Sequence, residues 1–149
     1  LDAGNWQRIP TLEEALDISG KAIGVILELK VEGIGNEACA IVKRVGFSNS
    51  LIYASFLIPE LHRVRQADPA AQIMVLLHRH LPLDPVADVV ALNASHVGLH
   101  YSTVTPALLQ TYHDLGRQVF VYTVNDWTEI RRMRELGVDG IVSDFPDRI

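Results

Sequence analysis

The chain has 149 residues, 48% of them hydrophobic and 21% charged, which suits one globular domain large enough to bury a core. Its net charge of -5 speaks against binding a nucleic-acid backbone, which calls for a basic face, but leaves a phosphate-ester substrate open, because one local cation outweighs a mildly acidic surface. The single cysteine, Cys39, excludes an internal disulfide; no run is long enough to span a membrane and no signal peptide opens the sequence, so a cytoplasmic location is expected.

The opening residues, Leu1-Asp2-Ala3-Gly4-Asn5-Trp6, read as a loop from the middle of a protein. Thr11 and Glu14 form a capping box that starts a first helix. The apolar run from Ala22 predicts a buried strand over 23–29 that closes on Glu28 and Lys30. Asn36 is placed to cap a helix that runs through Val45, and Gly46 ends it in a left-handed turn. A second strand is expected over 51–56. Pro59 then suits the first turn of a helix that runs to about Ala67.

The third strand falls over 72–77, and Asp84-Pro85 opens a short helix to Leu92. A fourth, shorter strand follows over 97–101. Thr105-Pro106 starts a helix that Gly116 stops, and the fifth strand covers 119–124. Asp126 caps a helix carrying Arg131, Arg132 and Arg134, read as a solvated outer face, and Gly137 ends it. A last strand over 140–143 leads into a turn in which Asp144 is expected to cap backbone. Short, nearly all-apolar strands alternating with helices mark an α/β fold whose parallel strands are covered on both faces.

Charges at the end of a buried strand are costly unless they meet a metal, an anion or each other. Glu28 and Lys30 are two residues apart, so both project from one face of a strand. The bland reading is a solvated strand end with the two side chains paired. The functional reading gives a hard divalent cation to the carboxylate and a phosphate or carboxylate to the ammonium. His78 and His80, spaced to share a strand face, offer a second possibility, a metal site in a different barrel hydrolase. Without a metal they form a polar rim. His100 ends the fourth strand and could face the same rim, whereas His62, His96 and His113 are read as lying in helices or loops and need no special role. Ser55-Phe56, His100-Tyr101 and Tyr122 sit at strand ends, where they either pack or line a pocket for an alcohol or glycerol moiety.

The ordered set of Arg8-Ile9-Pro10-Thr11-Leu12-Glu13-Glu14, Leu27-Glu28-Leu29-Lys30, Ser55-Phe56, Tyr122-Thr123-Val124-Asn125-Asp126 and Gly137-Val138-Asp139-Gly140-Ile141-Val142-Ser143-Asp144-Phe145-Pro146 resembles the C-terminal part of the glycerophosphodiester phosphodiesterase family. The resemblance implies a TIM-barrel (β/α)8 type parallel sheet, present here as a partial barrel over 1–149. It implies metal-dependent hydrolysis of glycerophosphodiesters to glycerol 3-phosphate and an alcohol, with a divalent cation, calcium or magnesium, and two acid/base histidines. Glu28 would then be a metal ligand, Lys30 would contact the substrate phosphate, and Phe56 and Tyr122 would line the pocket.

The family's His-Arg-Gly, Glu-x-Asp and His-Asp motifs are missing, and a full barrel takes about 250 residues. His78, His80 and His100 do not stand at the family's catalytic positions, so the isolated chain is expected to be inactive. Six strands plus the family's N-terminal ones exceed eight, which points to the strand over 97–101 as the one outside the barrel proper. A competing, non-catalytic reading is a half-barrel that pairs with itself or a partner to cover its open edge.

Overall fold

The computed structural model describes Gly4, residues 8–20 and residues 23–149. The readings placed on Leu1, Asp2, Ala3, Asn5, Trp6 and Ala22 lie outside the described residues. Six strands form one parallel sheet in sequence order: β1 (Val25–Glu28), β2 (Leu51–Ser55), β3 (Gln72–Leu77), β4 (His96–His100), β5 (Gln118–Tyr122) and β6 (Gly140–Ile141). Helices α1 (Leu12–Ser19), α2 (Gly35–Val45), α3 (Ile58–Ala67), α4 (Ala87–Ala91), α5 (Pro106–Asp114) and α6 (Trp127–Leu136) alternate with the strands. The sheet curls as a partial (β/α) barrel, so residues of β1 and the residue after β6 line one inner cavity.

The strand over 97–101 is not outside the barrel. It is β4, paired in parallel with β3 and β5 through Val75–Val97 and Val97–Val119 registers. Among the described residues the sheet thus holds six strands, two fewer than a closed eight-stranded barrel.

Alternation along each strand sorts the side chains into two layers. Tyr53, Ile73, Val75, Val97, Leu99, Val119 and Val121 face outward and join Leu61, Val64, Leu109, Tyr112, Ile130 and Met133 of the helices in one buried cluster. Ile52, Ala54 and Met74, with Leu76 and Phe120, form a smaller inner cluster. The expectation of strands covered on both faces fails on this inner side, where Ile26 and Val142 remain about 40% exposed. The inner layer fits by pairing small with large residues. A Cβ on Gly140 would lie 2.4 Å from the Phe120 ring, and one on Gly98 would lie 2.4 Å from Leu76 Cδ2.

Most helix ends follow local capping chemistry. The Thr11–Glu14 box, the Thr105 and Asp126 N-caps and the left-handed Gly46 and Gly137 are all in place. Asn36 does not play the expected part. α2 begins at Gly35, which places Asn36 inside the helix, and Ile34 at the cap position supplies no side-chain bond. The missing acceptor comes from α3, where the buried Glu60 carboxylate accepts from the Gly35 N–H at 2.8 Å. Arg132 also departs from a purely solvated role, since it donates to the Tyr101 carbonyl at 3.2 Å and to Glu129.

Candidate active site

In parallel α/β barrels the C-terminal ends of the strands and the loops that follow carry the chemistry. At that end the inner face encloses a cavity of about 390 Å³ walled by Ile26, Glu28, Lys30, Phe56, Tyr122 and Thr123 among others. Its floor is apolar: Ala54, Met74, Leu76, Gly98 and Phe120. All four side chains singled out from the sequence, Glu28, Lys30, Phe56 and Tyr122, thus converge on one space. Larger concavities of about 480 and 750 Å³ lie against α1 and α2 and between α2 and α3, away from the strand ends.

Glu28 Oε2 and Lys30 Nζ are 2.7 Å apart, so the pair also satisfies the bland expectation. Lys30 remains 72% exposed, which leaves its ammonium free to meet a second anion, whereas the Glu28 side chain is 31% exposed. Between them Leu29 points the other way into the outer core. A Glu-Leu-Lys strand end thus buries its middle residue and presents both charges inward.

The aromatic groups interlock across four strand ends. Phe56 stacks on His78 with centroids 4.3 Å apart and meets Tyr122 edge-on at 5.8 Å. Tyr122 in turn meets His100 edge-on at 6.1 Å, and His100 stacks on Tyr101. The Tyr122 hydroxyl donates to the Leu77 carbonyl, which orients the ring across the barrel mouth. Burial, with the Glu28 charge adding to it, pushes this phenol up to about 12, so it stays protonated and cannot act as a base near neutrality. Burial, followed by the Arg79 charge, holds His100 below its ordinary value, and its Nδ1 accepts from the Ser102 N–H at 3.2 Å.

Three expectations change in this region. β3 ends at Leu77, so the alternation that would have put His78 and His80 on one strand face does not reach them; both histidines are exposed, and His78 lies against Phe56. Asp144 does not cap backbone. Its carboxylate accepts from Asn125 Nδ2 at 2.8 Å, and the turn is capped by Ser143, whose hydroxyl accepts from the Phe145 N–H. His96 is neither in a helix nor in a loop but opens β4, buried beneath the cavity against Phe120.

The fit to a hard cation is partial. Such an ion takes about six or more oxygen ligands, and Glu28 is the carboxylate on the cavity wall. No group of three or more His, Cys, Asp and Glu side chains able to hold a metal occurs among the described residues.

Comparison with known proteins bears directly on this site. The sequence model of the glycerophosphoryl diester phosphodiesterase family matches residues 3–148. The chain belongs to this family. Among its relatives is the Bacillus subtilis (strain 168) protein YhdW, which bears the name of a glycerophosphodiester phosphodiesterase and is 30% identical over 162 aligned positions. Those positions take in all of this chain and 67% of YhdW. A crystallised glycerophosphodiester phosphodiesterase of Parabacteroides distasonis superposes with a TM-score of 0.84 at 25% identity, over 99% of this chain and 65% of that one. A phosphodiesterase of Oleispira antarctica, crystallised with the product sn-glycerol-3-phosphate, gives 0.81 at 25% identity, over 94% of this chain and 59% of that one. The chain thus spans about two thirds of the length of these proteins or less.

The sequence missed Glu60 and did not distinguish the role of Ser55. Both are fully buried; Ser55 holds Leu29, between the two charges, and Glu60 holds the segment that follows them. Partners 25 to 27 residues away leave no local signature.

Proposed function

We propose that this chain forms the part of a glycerophosphodiester phosphodiesterase that holds the phosphate and the glycerol end of the substrate, in an enzyme that releases glycerol 3-phosphate and an alcohol. The observation that carries this reading is the convergence of Glu28, Lys30, Phe56 and Tyr122 on one cavity in a member of that family. Support comes from the relative that holds sn-glycerol-3-phosphate.

In this reading the Lys30 ammonium meets a phosphoryl oxygen as a point charge. Phe56 and the oriented Tyr122 ring offer an apolar wall to the glycerol carbons. Glu28 contributes one oxygen ligand to a calcium or magnesium ion, and the remaining ligands come from water, substrate or residues beyond the described set. When bound, the ion supplies positive charge beside the phosphoryl oxygens. Acid and base histidines are not assigned in this chain, and the isolated 149 residues are predicted to hydrolyse no glycerophosphodiester measurably.

The test is a titration of the isotope-labelled chain with sn-glycerol 3-phosphate in magnesium, followed by amide signals. Shifts concentrated at Lys30, Phe56 and Tyr122, and lost in Lys30→Ala, are expected. Shifts confined to His78 and His80 would favour the other metal-hydrolase reading instead.

A second reading rests on the open inner face. β1 and β6 are the edges of the sheet, and the apolar Ile26 and Val142 beside them stay exposed. Such a surface favours closure by two further strands or by a second copy. Sedimentation of the chain separates a monomer from a self-associated form.

A further inference from the structure

Three polar side chains are buried among the described residues: Ser55, Glu60 and His96. Two of them hold one short stretch, residues 29–35. The Ser55 hydroxyl donates to the Leu29 carbonyl at 2.7 Å and accepts from the Leu57 N–H at 2.9 Å. Glu60 Oε1 accepts from the Gly33 N–H at 2.7 Å, and Oε2 accepts from the Gly35 N–H at 2.8 Å. Arg63 pairs with Oε1 at 2.5 Å. Burial alone would raise the Glu60 carboxyl, but the Gly33 and Gly35 N–H groups and Arg63 outweigh it and hold the group below its ordinary value. It is therefore an anion with no contact to solvent, and it faces backbone donors on two sides of a loop.

The approach is close. A Cβ on Gly35 would stand 2.8 Å from the Glu60 carbonyl oxygen and 3.2 Å from Oε2, so only glycine lets the loop seat this deeply. Gly33 is in the left-handed region, at a φ of 86°. A helix cap for α2 needs only the Gly35 contact. The Gly33 bond and the Ser55–Leu29 bond lie before the helix, and Leu29 is the residue between Glu28 and Lys30. A buried carboxylate is costly to maintain where an apolar side chain would pack. Its contacts constrain the path of the chain as it leaves the phosphate-facing pair.

We propose that Ser55 and Glu60 are positioning residues: a two-point clamp from the β2–α3 segment that fixes residues 29–35 and so sets how Glu28 and Lys30 are presented to a phosphate ester. The inference rests on the reading of that pair as a phosphate site, and goes beyond it by assigning the groups that hold the pair in place. They act through backbone and touch no substrate.

The experiment compares Glu60→Gln, Ser55→Ala and Arg63→Gln in the labelled chain, with sn-glycerol 3-phosphate in magnesium as the probe. Glutamine keeps the shape of Glu60 but offers one acceptor oxygen to two N–H groups. It is expected to weaken the probe's affinity on the order of tenfold and to speed amide exchange at Gly33 and Gly35, with exchange in β3, β4 and β5 unchanged. Ser55→Ala is expected to weaken the probe by a smaller factor, and it tests the clamp even where the Glu60 variant folds poorly. Arg63→Gln leaves both acceptor oxygens in place and is expected to match the parent. Unchanged affinity in both clamp variants, or an equal loss in Arg63→Gln, overturns the inference, because the carboxylate would then act only through its ion pair or general stability. A parent chain that fails to bind the probe contradicts the phosphate site itself, and the clamp falls with it.

Discussion

The two faces of this sheet are made from the same strands but have different work. The outer face lies under the helices, where Ile73, Val75, Val97, Leu99, Val119 and Val121 are all completely buried. The inner face has a small apolar floor, then a cavity, then a rim of charge and aromatic rings. Stability in this molecule belongs mainly to the outer layer, and the proposed function assigns ligand recognition to the inner rim. The difference shows why a strand can be nearly all apolar and still deliver a Glu-x-Lys pair: the period of two lets Leu29 anchor outward while its neighbours point in.

The sharpest way to break that comparison is to truncate one large residue on each face. Leu99→Ala is expected to cost about 2–5 kcal/mol in urea unfolding, through lost burial and the cavity left behind. Ile26→Ala, at a position 42% exposed, is expected to cost less than about 1 kcal/mol. Equal losses would mean that the inner face is covered in solution. Next comes Gly140→Ala, where the new methyl meets three Phe120 ring atoms at 2.4 to 2.8 Å. Overpacking there is expected to cost about 1–3 kcal/mol, and a partner Phe120→Leu is expected to recover much of it.

Acid should separate two buried groups. His96 is held below 6.5 chiefly by burial, so the folded state resists taking up its proton. Its contribution is complete above 6.5, the unfolded value, and is lost as pH falls through that value toward the folded one. Glu60 has a folded value below 4.5, so its contribution is complete above 4.5 and disappears only in stronger acid. Urea midpoints measured across pH are expected to show both slopes; His96→Gln removes the upper one and Glu60→Gln the lower. The smallest stability effect is expected at the rim itself: Lys30→Ala should change unfolding free energy by no more than about 0.5 kcal/mol while abolishing the response to sn-glycerol 3-phosphate.

Much of the fold was legible because its signals are local. A capping oxygen and the backbone N–H that donates to it stand within three residues at Thr11–Glu14, Thr105–Leu108 and Asp126–Glu129, and each is where the pattern put it. The strands announced themselves as short apolar runs between helical segments. What could not be read was which apolar residues faced helices and which faced the barrel interior, because both sets are hydrophobic. The start of α2 was misplaced for a related reason: its cap, Glu60, lies 25 residues downstream on α3. The placement of His78 and His80 on one strand face failed because β3 ends at Leu77, before either residue. β4 was set aside on a strand count, and only its registers with β3 and β5 restore it to the sheet.

Of the candidate site, Glu28 and Lys30 were visible as charges closing a buried run. Phe56 and Tyr122 were visible as aromatic strand ends. Their meeting on one cavity depends on sheet curvature, which no local pattern encodes, and the buried support from Ser55 and Glu60 depends on contacts between elements far apart in the chain.

The most direct test of the account is a diffraction experiment on crystals of this chain soaked with manganese and sn-glycerol 3-phosphate, with manganese as an anomalous stand-in for the divalent cation. The account predicts the phosphate within hydrogen-bonding reach of Lys30 Nζ, the metal on the Glu28 carboxylate and the glycerol carbons against Phe56 and Tyr122. Phosphate and metal gathered instead at His78 and His80, with the inner cavity holding only solvent, would contradict it.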